Sequence, residues 1–390
     1  MSPMPDDHER AKEQAKIAIQ RLFGDLAEVS VSDMQEGYQW ADLNKELERF
    51  KIASLFRVML FHVCDFEGYG PGEKFLWGVL LRAEGHLISL SHRKFGLRGS
   101  IGALGTVPDT QTIRRLVGKL MQSIQTTEKY LEVFGASQLR EGNVTVPNRF
   151  GRLSSRYEFF RTHAKTSFES PPPPPKHLEF DSDGHPTSTE FYWFKPEIEG
   201  GYFAIAMMDA YFSRLEHLLV LFLPFLNRPS PPLLDFIGST WDAKLLQVMD
   251  IAVPANKKLY DALKALKERQ RNVFAHGDFE KQGASLYFHV PEMCAVPVAL
   301  SAHSRSAVFG FHDVHIDSFQ EICEIFDKVD DCLKNTSCYY GWAFAESGLD
   351  VSFGKKSRAD YAAAMADQNT FNAYLDRMSY YADQAANMDF

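Results

Sequence analysis

The sequence predicts a mainly α protein: an up-down helical bundle with a small inserted β-meander in the C-terminal half, preceded by an N-terminal, mostly helical domain. Three observations predict it. Apolar residues recur at three- and four-residue spacing in most long segments. Five consecutive prolines, Pro171 to Pro175, interrupt the chain of 390 residues. Short alternating segments are concentrated between residues 286 and 311. A hydrophobic content of 45% at this length suits two domains with real cores. Prolines cannot donate backbone hydrogen bonds and favour an extended polyproline helix, so the run reads as a spacer. The expected division is residues 1–170, a linker at 171–195, and 196–390.

In the first part, Ile52, Leu55, Phe56, Met59 and Val63 share helical spacing, as do Ile113, Leu116, Val117, Leu120 and Ile124. Between them, Trp77, Leu80, Leu81, Glu84 and Ile88 fit a helix, while Glu84-Gly85 could turn a hairpin; helix is the assignment for Lys74 to Arg93. Gly96, Gly99, Gly102 and Gly105 then suggest a loop beside His92, Arg93, Lys94 and Arg98. The stretch Gly68 to Lys74 lacks the Gly-Lys-Ser/Thr ending of a phosphate loop and is set aside.

In the second part, a long helix is expected from about Gly201 to Phe225, broken by Pro229, Pro231 and Pro232. Another is expected from Leu233 to Met249. A third should start near Asn256 as N-cap, present Leu259, Leu263, Leu266 and Val273 on one face, and stop at Gly277. Leu286 to Val290, Val296 to Leu300 and Val308 to Phe311 form the meander. Helices follow at Asp317 to Lys334 and near Ser357 to Met378.

Composition narrows the functional classes. A formal net charge of -9 argues against indiscriminate coating of nucleic acid, which needs broad phosphate neutralisation. Between Lys257 and Lys281, however, seven basic residues face four acidic ones, a local excess of three positive charges. The N-terminus carries no apolar run, and the most apolar stretch, Ala204 to Leu226, contains Asp209, Arg214, Glu216 and His217, so neither a secretory signal nor a membrane span is expected. Cys64, Cys294, Cys323, Cys332 and Cys338 form no C-x-x-C pair and read as buried thiols of a cytoplasmic protein. No cofactor or metal is expected. His312-Asp313-Val314-His315 has no clear third ligand nearby and reads as surface histidines. Asp181-Ser182-Asp183-Gly184 opens like a calcium loop but has Tyr192 where the closing glutamate belongs, and reads as a turn.

One motif carries chemistry. Arg271-Asn272-Val273-Phe274-Ala275-His276-Gly277 lies at the expected end of the third helix. Arg-x4-His alone is expected by composition about 0.7 times in this chain, but with Asn after the Arg only about 0.02 times. Arg57 with His62 shows the bare spacing and is assigned to chance. An RNA substrate supplies its own nucleophile, the 2′-hydroxyl, so cleavage needs only proton transfer and neutralisation of charge growing on phosphoryl oxygens. Imidazole titrates nearest neutrality and guanidinium presents paired donors to phosphate, which suits His276 and Arg271 to those tasks, with Asn272 orienting either. In an unbroken helix Arg271 and His276 project about 140° apart, so a shared phosphate requires a distorted helix or two copies meeting across a two-fold axis.

The R-N-x-x-x-H pattern, the terminating glycine, and an earlier long helix containing Glu216 resemble the HEPN domains, a family of RNA-cleaving helical bundles. The resemblance covers about Gly201 to Asn335. It implies a metal-independent endoribonuclease acting as a homodimer on RNA, in a toxin or antiviral defence setting, with an antitoxin or regulatory protein as a further partner. Asp278 stands where one HEPN subgroup carries a modified tyrosine, so that regulation is not expected. On the first helix, Asp209, Ser213 and Glu216 line one face opposite Met207, Tyr211, Leu218 and Phe222; Glu216 is expected to orient Arg271 or His276. Lys267, Arg269 and Lys281 are the expected RNA-binding residues. Two other readings compete: favourable placement of positive charge at a helix C-terminus, and a catalytically inactive HEPN-like module that binds RNA, a nucleotide or a protein.

Overall fold

The computed structural model describes residues 5–388 apart from 31, 33–35, 51, 191–193, 227–230, 269–278, 281–282, 292, 302–303, 310–313 and 336–337. The chain divides into two units, residues 1–144 with 373–390, and residues 145–372.

The first unit is mixed α/β, which overturns the expectation of a mostly helical N-terminal domain and of a mainly α protein. Its elements are α1 (Pro5–Phe23), β1 (Ala27–Glu28), β2 (Tyr38–Asp42), α2 (Asn44–Leu47), α3 (Ala53–Arg57), β3 (Phe75–Ala83), β4 (His86–Arg93), β5 (Gly96–Leu104) and α4 (Thr110–Glu141). The strands form an antiparallel sheet of order β1-β3-β4-β5-β2. Trp77, Val79, Leu81, Ile88, Leu90, Leu97 and Ile101 point from one face into a core completed by Ile19 of α1 and Leu116, Val117, Leu120 and Ile124 of α4. The helical spacing read at 113–124 is thus the buried face of α4. Asp109 opens that helix by accepting from the Thr112 N–H at 2.7 Å, and Gly142, at φ 69°, closes it. The spacing read at 52–63 is also helical, but α3 continues into a π-helical turn, Val58–Val63.

Lys74 to Arg93 is a hairpin, not a helix. Glu84 and Gly85 both have positive φ, 51° and 75°, which matches a turn of the right hand for twisted strands. The Asp25 carboxylate holds it, accepting from the Glu84 N–H at 2.5 Å and the Gly85 N–H at 3.3 Å. Residues 96–104 are a strand rather than a loop; Gly96 opens it at φ 104°, and Gly99 and Gly102 have close neighbours. A Cβ on Gly99 would lie 2.7 Å from the Ser89 carbonyl oxygen, and one on Gly102 would lie 3.0 Å from the Trp40 ring.

In the second unit, β6 (Thr145–Val146) precedes α5 (Phe150–Glu169), the hairpin of β7 (Lys176–Phe180) and β8 (Pro186–Glu190), and α6 (Lys195–Phe222). Helices α5 and α6 lie antiparallel. Phe168 fills the space that a side chain on Gly200 would need; His163 meets Phe203 at 5.3 Å between ring centroids, and Tyr157 meets Tyr211 at 5.4 Å. The proline run therefore connects two partners inside one unit. The division falls at 144/145, not at 171–195, because α5 buries Tyr157 and Ala164 in the second unit.

After α6 come α7 (Leu233–Gly238), α8 (Trp241–Leu246) and α9 (Pro254–Leu266). The single helix expected over 233–249 is thus two, separated at Ser239-Thr240. Asn256 is inside α9 and does not cap it; its side-chain amide donates to the Asp250 carbonyl at 2.9 Å. The meander is present as β9 (Phe279–Glu280), β10 (Gly283–Val290), β11 (Cys294–Ser301) and β12 (Ser304–Phe309), in spatial order β12-β11-β10-β9. Next are α10 (Ile316–Asn335), α11 (Tyr339–Glu346) and β13 (Val351–Ser352), which pairs with β6. The helix expected near 357–378 is also two, α12 (Lys355–Ala364) and α13 (Gln368–Asn387), the latter's residues from 373 belonging to the first unit.

Among the cysteines, Cys64, Cys323 and Cys338 are buried and Cys332 half-buried, whereas Cys294 is exposed, contrary to expectation. Burial pushes the Cys64 and Cys323 thiols up to about 11. Asp181 makes the expected turn, its carboxylate accepting from the N–H groups of Asp183 and His185 at 2.9 and 2.8 Å. No described helix is long and apolar enough to cross a membrane.

Candidate functional site

The motif residues Arg271, Asn272 and His276, together with Arg269 and Lys281, lie outside the described residues. The structure does describe the helix that leads to them, α9, and two further candidates, Glu216 and Lys267.

Glu216 is on α6, a helix apolar over most of its circumference, with Pro196 in its first turn where a missing N–H costs nothing. Met207, Tyr211, Leu218 and Phe222 are fully buried, while Ser213 is exposed and Asp209 and Glu216 are half-exposed, so the polar face read from the sequence is present. The described partner of Glu216 is Lys244 of α8, whose Nζ is 3.3 Å from Oε1. The Lys244 side chain is only 7% exposed, so Glu216 balances an ammonium that is nearly withdrawn from water.

Lys267 follows α9 directly, and its Nζ lies 4.9 Å from the centre of the Phe212 ring and 4.6 Å from that of Trp241. The two rings meet edge to face at 5.5 Å. Such a cation over an aromatic face gains about 0.5 to 2 kcal/mol, increasing with desolvation. Phe212 and Glu216 are one turn apart on α6, and Trp241 and Lys244 one turn apart on α8. The last described turn before the motif is thereby held on Phe212 of α6, one turn from Glu216, and on Trp241 of α8. Thr240 donates to the Asp242 carboxylate at the start of α8 and holds it below the usual carboxylate range. The arrangement offers two ammonium groups held in place.

A second polar constellation, unanticipated from the sequence, joins α5, α6 and α10. Arg214 pairs with Asp330 and lies over the rings of Tyr157 and Tyr211 at 4.7 and 5.0 Å. The Tyr211 hydroxyl donates to Asp330 Oδ1 at 3.1 Å, and its ring stacks on Phe326 at 3.6 Å. Burial works against the charge on Arg214, and Asp330 more than offsets it, holding the guanidinium above its ordinary range. Nearby, Arg161 donates to both carboxylate oxygens of Asp327, at 2.5 and 2.6 Å. The available signal was an arginine inside an apolar helical run: Arg214 counted against a membrane span, and the same reasoning demanded a buried anion to pair with it.

His315 of the four-residue histidine segment is exposed and bonded to Glu197 at 2.6 Å; His312 and Asp313 lie outside the described residues. Among the described residues no three His, Cys, Asp or Glu side chains converge as metal ligands would. Comparison with protein families, with curated proteins and with solved structures finds no match to this chain.

Proposed function

We propose that the second unit is a metal-independent endoribonuclease of HEPN type, which cleaves RNA by attack of the substrate's own 2′-hydroxyl at a site completed by two copies of the chain. The observation that supports it is the seating of Lys267 on Phe212 and Trp241, which brings the approach to Arg271-Asn272 alongside the helix face that carries Glu216. In this reading His276 moves the proton, Arg271 neutralises phosphoryl charge, and Asn272 orients them. The cytoplasm is its compartment, a toxin or defence effector its role, and an antitoxin or regulatory protein its restraint. The test is cleavage of RNA by purified protein in EDTA. Loss of cleavage in both Arg271→Ala and His276→Ala is expected, and full activity in both variants overturns the assignment.

The reading of the unit as a non-catalytic binding module draws on a different aspect of the same contacts. Glu216 and Lys267 are engaged by Lys244 and by two aromatic rings, as structural residues are. RNA retained by the wild-type protein without turnover would select that reading.

A further inference from the structure

The sheet of the first unit has a second face, turned away from the core of α1 and α4. Strand alternation puts Gly78 and Leu80 of β3, Ser89, Ser91 and Arg93 of β4, and Arg98 and Ser100 of β5 on it; Leu80 is buried there with Leu87 and Val29, and Trp40 packs against them. We infer that this face binds a single-stranded nucleic acid, with Arg93 and Arg98 holding phosphates and Tyr69 and Trp40 receiving bases.

Register makes the face continuous. Gly78 is opposite Ser91, and Ser91 is opposite Arg98. Gly78 leaves room for the Tyr69 ring, whose Cζ lies 2.3 Å from where a Cβ would be, so the ring occupies the sheet surface about two strands, or 10 Å, from Arg98. Tyr69 is 46% exposed there. At the other end of the face the Trp40 ring lies over Gly102 in the same manner and is half-exposed. Between the two rings run the half-buried Ser89 and Ser100, with Ser91 buried beside them, small residues that leave the surface low enough for a strand of nucleotides to lie on it.

Charged residues on this face include two arginines and one acid. Arg93 donates to the Ser91 hydroxyl at 3.4 Å, and among the described residues neither Arg93 nor Arg98 has an ionic partner. Asp42, opposite Ser100, keeps its negative charge while accepting from the Asn44 backbone N–H at 2.7 Å and side-chain amide at 2.6 Å, so the two arginines outnumber it. Beyond Arg93 the hairpin tip presents Lys94 and Phe95, the latter 82% exposed. Arginine, hydroxyl and partly exposed aromatic rings, beside the buried Val29, Leu80 and Leu87 of this face, are the groups that take phosphate and base from an unpaired strand. A duplex would hide its bases from the rings.

This inference does not depend on cleavage. Its test uses the full chain carrying His276→Ala and a short fluorescein-labelled oligouridylate, read by fluorescence anisotropy across a salt series. Arg93→Gln and Arg98→Gln are each expected to reduce the salt slope by about one. Tyr69→Leu is expected to weaken binding roughly 5- to 150-fold, the span of one lost stacking contact. The inference is overturned if the wild-type surface does not bind the oligonucleotide or if Arg93→Gln/Arg98→Gln binds with unchanged affinity. It is also overturned if polyglutamate or duplex RNA competes as well as the single strand. A protein that binds here but leaves RNA intact retains the inference and removes the nuclease reading, which separates the two.

Discussion

His217 of α6 accepts, at Nε2, the backbone N–H of Arg149, 3.0 Å away, at the residue that opens α5. The imidazole thus satisfies one of the donors that a helix leaves without an internal partner. It can do so only while that nitrogen is unprotonated. Burial lowers the His217 pKa, and the charge of Arg149 lowers it further.

The sign of the pH effect follows. A folded pKa below the unfolded value, near 6.5, means that the unfolded chain takes up the proton first as pH falls. The stabilisation is fully present above that value and is lost on acidification. His217→Gln keeps an acceptor and removes the titration. At pH 7.5 it should cost no more than about 1 kcal/mol, and between pH 7.5 and pH 5 its Tm should fall less than that of wild type. The comparison matters because His92, lowered by burial in the first unit, acts in the same direction in both proteins. Parallel Tm curves for the two proteins would show that His217 does not titrate in this way.

Arg214 and Asp330 should behave as a pair that is costly to break and cheap to replace. Arg214→Met leaves the largely buried Asp330 carboxylate with, among the described residues, the Tyr211 hydroxyl as its hydrogen-bond partner. A loss of about 3 to 5 kcal/mol in urea unfolding is expected, with most of it recovered in Arg214→Met/Asp330→Leu. Arg214→Lys should not rescue, because the guanidinium plane also lies against Tyr157 and Tyr211. A single substitution costing less than about 1 kcal/mol would mean that water reaches Asp330.

Two glycines should respond to alanine with opposite signs. Gly118 is inside α4 and a Cβ there meets nothing within 4 Å. Gly118→Ala should stabilise the first unit by about 0.5 to 1 kcal/mol, since the unfolded chain loses freedom and the folded helix loses nothing. At Gly99 the new methyl would press on the backbone carbonyl of Ser89 and on Leu47. Gly99→Ala should destabilise by about 1 to 3 kcal/mol, outweighing the better strand propensity of alanine. Thermal melts decide both, and a stabilised Gly99→Ala would show that β4 and β5 separate easily.

The same residues explain what could be read from the sequence. Leu116, Val117, Leu120 and Ile124 bury one stripe of α4, and that stripe has helical spacing, so the helix was legible. Strand β3 buries Trp77, Gly78, Val79, Leu80 and Leu81 in succession, because Tyr69, Val29 and their neighbours cover its second face. A strand covered on both faces has no alternation to display, and Leu80, Leu81, Glu84 and Ile88 then imitate a helix. Gly96, Gly99 and Gly102 suggested a loop because the groups that require glycine at Gly99 and Gly102, Leu47 and the Trp40 ring among them, are brought there only by folding, and Gly96 turns the hairpin at φ 104°. For the site, the polar face of α6 was visible, but its partner Lys244 was not, because a buried lysine resembles an exposed one in sequence.

Lys267 provides a prediction in which the position of a charge, rather than its presence, is at issue. As an RNA-binding residue it would neutralise a phosphate, and Lys267→Gln would then reduce the salt slope of RNA binding by about one. Its Nζ is instead within 5 Å of the centres of both the Phe212 and Trp241 rings. An ammonium held between two rings gives up those contacts if it turns to a phosphate. Lys267→Gln should therefore leave the salt slope unchanged, lower stability by about 0.5 to 2 kcal/mol, and, on the proposed ribonuclease reading, reduce cleavage only by loosening the approach to Arg271. Trp241→Leu should reproduce the stability loss, and Lys267→Gln added to it should cost less than it does alone. Arg269→Gln and Lys281→Gln, tested in the same series, are expected to change the slope. If Lys267→Gln changes it as they do, the lysine leaves the rings for RNA, and its seat on Phe212 and Trp241 is the resting position of a binding residue.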